Sequence, residues 1–198
     1  NCTSLTGMEG HDTYAPTSVA VLQTKGYDYW ALGHVHQRQV VSQQPRVVYP
    51  GNLQGRNARE TGAKGCELVT VQGADISSQF TALEVVRWHQ LELDISALAV
   101  LDDLQPYLAA QLQAAAQTAA SDVLHAVRVV LTGESPLHAL EAAQPGTLEA
   151  AVQAAAQDVL NADVWIERVR LALRSPIDRA QLAQGSDALA ELVRSVDA

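Results

Sequence analysis

The chain has 198 residues, of which 47% are hydrophobic, so it can form one full domain or a partial domain with a smaller one. Its 22 acidic residues against 13 basic ones give a net charge of -9, which argues against a protein that holds nucleic acid by bulk charge. The charge is uneven. The stretch from Lys25 to Thr70 has six basic and three acidic residues, a net +3, whereas the rest has seven basic and 19 acidic residues, a net -12.

The cysteines and the apolar runs exclude several classes of protein. Cys2 and Cys66 form no spaced cluster, so neither a disulfide framework nor a zinc knuckle is indicated, and a reducing, cytoplasmic setting fits best. No apolar run approaches the roughly 20 residues needed to cross a bilayer, and the start NCTS lacks the features of a secretion signal, so no membrane partner is expected. Because the chain begins with Asn1 rather than Met, we expect a start inside a longer reading frame; the alternative is processing of the N-terminus.

The first half of the chain predicts short strands joined by glycine-rich loops. Glycine, proline and polar residues mark the loops, and β-branched and aromatic runs mark the strands. In chain order we expect a loop over residues 1–16, a helix over 19–24 capped by Thr17-Ser18 and stopped by Gly26, strands over 27–32 (YDYWAL), 46–49 and 66–71, and a long loop over 51–65 (GNLQGRNARETGAKG).

From about residue 81 the composition shifts to Ala, Leu and Gln, with apolar residues at helical spacing. The expected order of strand, helix, strand, helix, strand closes into a small two-layer domain. The elements are strands over 83–94, 126–132 and 164–173, helices over 99–120 and 146–160, and a separate final helix over 178–196.

Two histidines follow the strand predicted over residues 27–32, in the sequence Gly33-His34-Val35-His36. If they lie on extended chain, His34 and His36 point into one pocket about 7 Å apart, because strand side chains alternate faces. Gly33 would let backbone or substrate approach closely. Neutral imidazoles bind Mn, Fe or Zn, and each can serve one ion of a pair about 3.5–4 Å apart. The alternative is two surface histidines at a strand end.

Four sequence runs give the chain a resemblance to a known family. They are GHDTYAP over residues 10–16, GYDYWALGHVH over 26–36, YPGNLQGR over 49–56 and ETGAKG over 60–65. Together they resemble the calcineurin-like metallophosphoesterases, and within them the bacterial DNA-repair exonucleases related to the nuclease subunit of SbcCD. The resemblance is specific over residues 2–71. It is weaker but consistent to about residue 173, where the family has a small capping domain.

The resemblance implies a two-metal site and roles for individual residues. His34 and His36 would act in catalysis as ligands of one Mn²⁺ ion each, with Fe or Zn as alternatives. The family's third histidine ligand, in a Leu-His-Thr-Ser-like element, falls on Cys2, whose thiolate binds Zn or Fe but suits Mn poorly. His11, beside Asp12, is predicted to transfer a proton or to orient a ligand; the alternative is a structural histidine in a glycine-rich loop.

The family's carboxylate ligands have no counterpart in the sequence. No Asp-x-His occurs, and Gly51-Asn52 continues as Leu53 rather than as Gly-Asn-His-Asp. Two close cations repel and need anionic oxygen between them, which imidazoles cannot supply. We therefore expect the chain alone to bind metal weakly and not to hydrolyse a phosphodiester, unless an upstream segment supplies these ligands.

The glycine-rich loop is the candidate DNA contact. It carries Asn52, Arg56, Arg59 and Lys64, and its backbone NH groups, guanidinium forks and ammonium group can hold phosphates. The alternative is a solvated loop in which Glu60 balances Arg59.

The second half offers fewer candidates. Its larger apolar residues are interpreted as core: Trp88, Leu91, Leu93, Val129, Leu131, Trp165, Ile166 and Leu171. Three histidines without a partner at ligand spacing are interpreted as incidental: His89, His125 and His138. Arg168, Arg170 and Arg174 share a face of the last strand by even spacing, which favours either a DNA path or ion pairs with acidic helices.

The sequence thus predicts an α/β chain in three parts. Residues 1–80 are the C-terminal part of a metallophosphoesterase domain, a partial β-sandwich flanked by helices; residues 81–175 are a β-α-β-α-β capping domain; and residues 176–198 are a C-terminal helix. The resemblance implies a Mn-dependent DNA exonuclease subunit in repair, with DNA and an SbcC-type ATPase subunit as partners and a homodimer left open. The alternatives are a phosphatase or nucleotide phosphodiesterase of the same superfamily, or a non-catalytic binding fragment.

Overall fold

A computed structural model describes residues 15–119 and 122–176, together with residues 182, 184, 188, 191 and 195. The sequence-based expectations for Cys2, for His11 and for most of the helix over 178–196 therefore concern residues outside the described part of the chain. The described residues form interspersed strands and helices, which confirms the α/β class. No helix among them combines the length and apolar character needed to span a membrane.

The first elements are one short helix and five strands, and the strands form two small sheets. They are α1 (Val19–Gln23), β1 (Tyr29–Ala31), β2 (Gln39–Gln43), β3 (Arg46–Tyr49), β4 (Gly65–Gln72) and β5 (Asp75–Ala82). The central strand β3 pairs in parallel with β1 and antiparallel with β2, and its Val47, Val48 and Tyr49 are buried. β4 and β5 form an antiparallel hairpin. The sequence did not predict β2 and β5, because their glutamines and serines obscure the strand pattern.

The second half has the expected alternation of strands and helices, with one extra helix. Its elements are β6 (Val86–Asp94), α2 (Leu101–Ala116), β7 (Leu124–Glu134), α3 (Leu137–Ala143), α4 (Thr147–Gln157) and β8 (Val164–Arg174). The short helix α3 was not predicted. The three strands form a parallel sheet in the order β6-β7-β8, so each crossover places a helix against the sheet.

One face of this parallel sheet carries the main core. Leu104, Leu108 and Leu112 recur every fourth residue on one side of α2 and are buried completely or nearly so. They pack in one cluster with Val129 and Leu131 of β7 and with residues of α4. Burying a leucine contributes about 1.5–3 kcal/mol, so this cluster stabilises the second half of the chain.

Two residues interpreted as core are exposed. The interpretation is correct for Leu93, which is buried, but it is wrong for Trp165 and Leu171, which are 51% and 41% exposed. Both lie on β8, an edge strand of the parallel sheet. Trp165 also pairs in register with Ala126, whose neighbours in the strand face the core, so its side chain lies opposite the helices.

Candidate functional site

The histidine segment and the glycine-rich loop lie side by side. Residues 32–38 connect β1 to β2, and residues 50–64 connect β3 to β4. The Asn52 backbone NH donates a hydrogen bond to the His36 carbonyl oxygen at 3.3 Å. Gly51 has a φ of 82°, and a Cβ atom there would lie 2.9 Å from the same carbonyl oxygen. Glycine is therefore required at residue 51 for the two segments to approach this closely.

The histidine segment is not extended as the sequence suggested. His34 lies in a bend with a φ of 79°, in the left-handed region that residues other than glycine seldom adopt. The premise that His34 and His36 alternate along a strand is therefore wrong at His34. His34 is exposed. His36 is half-buried, with 42% of its side chain exposed. A backbone held in a sparsely populated conformation is more frequent at functional sites, where surrounding structure compensates the strain.

Glu60 is the centre of the hydrogen-bond network around His36. Its Oε1 lies 2.7 Å from His36 Nδ1 and 3.1 Å from Arg56 Nη2. Its Oε2 accepts hydrogen bonds from Asn52 Nδ2 at 2.9 Å and from the Arg56 backbone NH at 2.8 Å. Both carboxylate oxygens are thus engaged, and three residues of the loop are tied to one histidine.

This contact fixes the tautomer of His36. A carboxylate only accepts hydrogen bonds, so a separation of 2.7 Å requires that Nδ1 carries the proton and donates it to Glu60 Oε1. Arg56 Nη2, at 2.9 Å from Nδ1, then acts through its bond to Glu60 rather than as a donor to the ring. In the neutral ring Nε2 keeps its lone pair. A carboxylate behind Nδ1 is the arrangement that orients histidine ligands in metal sites.

The network also holds Glu60 in its charged form. Burial alone would raise the pKa of the Glu60 carboxyl, but hydrogen bonds from Arg56, His36 and Asn52 outweigh it and lower that pKa to about 2. Glu60 is therefore a carboxylate at any physiological pH. The charge that orients His36 is permanently present.

Lys64 lies under the histidine segment rather than on the surface of the loop. It is 4% exposed, and its Nζ lies 3.5 Å from the His36 carbonyl oxygen. Burial lowers the pKa of the Lys64 ammonium group, and the carboxylates of Glu60 and Glu84 oppose that shift. The prediction that Lys64 contacts DNA had placed it on an exposed loop. The structure instead places it at the wall of a cleft.

A cleft of about 310 Å³ opens beside these residues. Its lining comprises Val35, His36, Gln37, Asn57, Arg59, Glu60 and Lys64. Arg59 is exposed, and the Arg56 side chain is 66% exposed. The structure thus brings His36, Arg59 and Lys64 to one concave surface. Asn52 and Arg56 do not line it, but both form hydrogen bonds to Glu60, which does. Such surfaces are where ligands usually bind.

The described residues fit part of the metal site that the sequence implied. His36 is suited to bind an ion through Nε2, and His34 is two residues away in the same segment. Glu60 is not suited, because both its oxygens already accept hydrogen bonds. Within residues 15–119 and 122–176 no group of three or more His, Cys, Asp or Glu side chains is placed to hold an ion. His36 is thus free to bind an ion through Nε2, but these residues do not form a complete metal site.

Sequence reasoning missed the role of Glu60. It had been weighed only as a charge that balances Arg59, since both lie in an irregular loop. Glu60 is 24 residues from His36 in sequence, and no periodicity connects them. Only a chemical argument could have indicated Glu60. A histidine that binds a metal through one ring nitrogen usually donates the NH of the other to an acceptor, which is often a carboxylate.

Comparisons with known proteins concern the family of the chain rather than its individual site residues. Residues 88–174 match the family described as metallophosphoesterase YhaO, middle domain. This match and the relative named in the next sentence both support membership of the metallophosphoesterase family. The relative is the "Uncharacterized metallophosphoesterase YhaO" of Bacillus subtilis (strain 168), which is 41% identical over 146 residues, or 73% of this chain. The chain spans 35% of the length of that relative.

Proposed function

We propose that this chain forms the imidazole side of a two-metal phosphodiesterase site that acts as an exonuclease on DNA in repair. The observation that carries the proposal is the contact of 2.7 Å between Glu60 Oε1 and His36 Nδ1. It places a proton on Nδ1, so that the neutral ring carries its lone pair on Nε2, next to a cleft with basic walls. The family match supports a phosphoesterase activity, and the exonuclease role extends that activity to a particular substrate.

In this proposal His34 and His36 bind one ion each of a Mn²⁺ pair. Such a pair polarises the phosphodiester and supplies an activated water for hydrolysis. The anionic oxygen needed between the two cations comes from outside the described residues, because Glu60 is engaged with His36, Asn52 and Arg56. Glu60 is a positioning residue, since it acts through His36.

The basic residues of the cleft are the phosphate contacts in this proposal. Arg59 presents an exposed guanidinium group at the cleft, and the Lys64 side chain forms part of its wall. Charge-assisted hydrogen bonds from these groups would position a phosphodiester without reading its sequence. A nucleotide phosphodiesterase or phosphatase is the second candidate. The cleft volume of about 310 Å³ favours it, because that size suits a small ligand.

The metal site is tested by Mn²⁺ titration of the full chain, followed by paramagnetic broadening of the histidine ring signals in NMR spectra. We expect the signals of His34 and His36 to broaden first. Glu60→Gln should raise the Mn²⁺ concentration for half-broadening by about 10–100-fold, the usual effect of removing a carboxylate behind a histidine ligand. Glu92→Gln, an exposed change on β6, is the matched control and should leave the titration unchanged.

Two outcomes would contradict the proposal. One is a Glu60→Gln titration identical to that of the unaltered chain; the other is equal broadening of His89 and His138, which lie outside the site. The substrate is tested in a protein that joins this chain to a segment bearing the carboxylates. Cleavage of linear duplex DNA but not of a nucleotide or an aryl phosphate would favour the exonuclease, and the reverse pattern would favour the second candidate.

A further inference from the structure

The parallel sheet has one face that neither α2, α3 nor α4 covers in the part of the chain that the structure describes. Helices α2 and α4 pack on the side of Leu93, Val127 and Val129. The residues that alternate with these lie on the opposite side, which we call the open face. Six of its side chains matter below: Trp88, Gln90, Arg128, Trp165, Arg168 and Arg170.

A β-bulge determines which residues of β8 reach the open face. Val127 pairs with Ile166 on the core side, but the next residue, Arg128, pairs with Arg168. Glu167 is thus the additional residue, and the register shift reverses the faces beyond it. Arg168 and Arg170 therefore lie on the same face as Trp165. Without the bulge, Val169 would lie there instead.

Trp165 is a fixed and exposed aromatic ring. It is 51% exposed, and its ring meets that of Trp88 edge to face, with centroids 6.3 Å apart. Trp88 is itself held, because its Nε1 donates a hydrogen bond to the Gly55 carbonyl oxygen at 2.9 Å. A Cβ atom at Gly55 would lie 2.9 Å from the Trp88 ring, so glycine permits this contact. An exposed indole that is held in one orientation suits stacking with a planar ring.

The open face continues from the cleft at His36. A second groove of about 380 Å³ is lined by Arg59 and Gly62 of the loop and by Trp88, Gln90 and Glu92 of β6. Arg59 also lines the cleft that contains His36. The two concave surfaces therefore share Arg59, and one extended ligand can occupy both.

The charges on the open face select the kind of ligand. Arg128 forms an ion pair with Glu167 at 2.8 Å, whereas in the described residues no carboxylate lies within ion-pair distance of Arg168 or Arg170. Glu92 lies on the same face. Two available cations are few for a DNA duplex, whose binding depends on many phosphate contacts. They are sufficient for a single strand, which binds by base stacking together with a few cations.

We propose that the open face binds a segment of single-stranded nucleic acid, with one base stacked on Trp165 and phosphates held by Arg168 and Arg170. The strand would continue past Trp88 and Arg59 to the cleft at His36. This inference rests on the proposed function only for the class of substrate, since the binding itself needs no metal. It assigns the exposed tryptophan and the bulge of β8 a role in presenting a strand end.

Binding of a fluorescein-labelled oligothymidine to the full chain, measured by fluorescence anisotropy in EDTA, tests the proposal. Trp165→Ala should weaken binding by about 5- to 150-fold, the range for loss of one stacked base, and Trp165→Phe should retain most of the affinity. Arg168→Gln with Arg170→Gln should reduce the slope of log affinity against log salt by about 1.4, or about 0.7 per phosphate contact. Lys25→Gln, an exposed change outside the sheet, is the matched control and should change neither quantity.

Three outcomes would overturn the inference: equal affinity of Trp165→Ala and the unaltered chain, tighter binding of duplex than of single strand, or self-association that Trp165→Ala abolishes. The last would make the open face a contact between copies. The far-ultraviolet circular dichroism of Trp165→Ala and Trp165→Phe should match that of the unaltered chain, which checks that the fold is kept. If Mn²⁺ fails to bind while the strand still binds, the proposed function fails and this inference stands.

Discussion

The loop over residues 51–64 keeps its shape through hydrogen bonds to one carboxylate, whereas the sheet β6-β7-β8 keeps its shape through burial of apolar side chains. In the loop, Asn52, Arg56 and His36 all bind Glu60. In the sheet, Val129 and Leu131 are fully buried against the helices. A change of charge should therefore alter the first region and a change of volume the second. The comparison separates residues that position chemistry from residues that stabilise the fold.

Glu84 joins the two regions. Its Oε2 accepts a hydrogen bond from the Lys64 backbone NH at 3.0 Å, which anchors the end of the loop. Its Oε1 accepts from Arg87 Nε at 2.7 Å, at the start of β6. Arg87 also donates to the Thr118 carbonyl oxygen beyond the end of α2. Both members of this ion pair are buried.

Glu84→Gln should have the largest effect on stability. It leaves the Arg87 guanidinium group buried without an anionic partner, and breaking a buried ion pair in this way costs about 3–5 kcal/mol. We expect a loss of that size in the free energy of unfolding, measured by urea denaturation. Glu92→Gln, an exposed change, should stay within about 0.5 kcal/mol. A loss below about 1 kcal/mol for Glu84→Gln would show that the two regions are not joined through this pair.

Leu108→Ala should destabilise the sheet without altering the loop. Leu108 is fully buried in the core cluster, and removing such a side chain typically costs about 2–5 kcal/mol through lost burial and the cavity left behind. Urea denaturation measures the loss, and the ring signals of His36 should keep their positions under native conditions. Leu160→Ala is the matched control, since Leu160 is 70% exposed. A shift of the His36 signals in Leu108→Ala would contradict the separation of the two regions.

The same contrast explains how much the sequence predicted. Apolar side chains at helical and strand spacing follow directly from burial on one face, so α2, α4, β7 and β8 were predicted to within a few residues. The capped helix α1 and the strand β3 were predicted for the same local reasons. These elements depend on neighbouring residues in the chain.

The arrangement of the candidate site depends on contacts between distant residues, and most of it could not be predicted. The sequence indicated that His36, Arg59 and Lys64 belong to one region, which the cleft shows. It did not indicate that Lys64 is buried, nor that Glu60 fixes the ring of His36. It missed the exposure of Trp165 as well, because residue type alone favours burial of an indole.

His89 and His125 provide the smallest expected effect and test whether the sheet is also sensitive to charge. His89 Nε2 lies 2.9 Å from His125 Nδ1, so one ring donates and the other accepts. Burial, then the nearby His125 and Arg87, lowers the pKa of His89 to about 4, and burial together with Arg87 lowers the pKa of His125. Both rings are therefore neutral at pH 7 in the folded chain. Protonation of either ring in the folded chain would place a buried positive charge near the Arg87 guanidinium group, which is unfavourable.

Because these pKa values are lower in the folded chain than in the unfolded chain, the unfolded chain binds protons first as the pH falls. The contribution of the pair to stability is complete above the unfolded pKa of about 6.5 and is lost progressively from there towards pH 4. His89→Gln should therefore show a shallower fall in the free energy of unfolding between pH 6.5 and pH 4, measured by urea denaturation at several pH values. His138→Gln, outside the pair, should keep the fall of the unaltered chain. If the free energy of unfolding falls with pH by the same amount in all three proteins, burial of His89 does not disfavour its protonation. In that case only the loop is sensitive to charge.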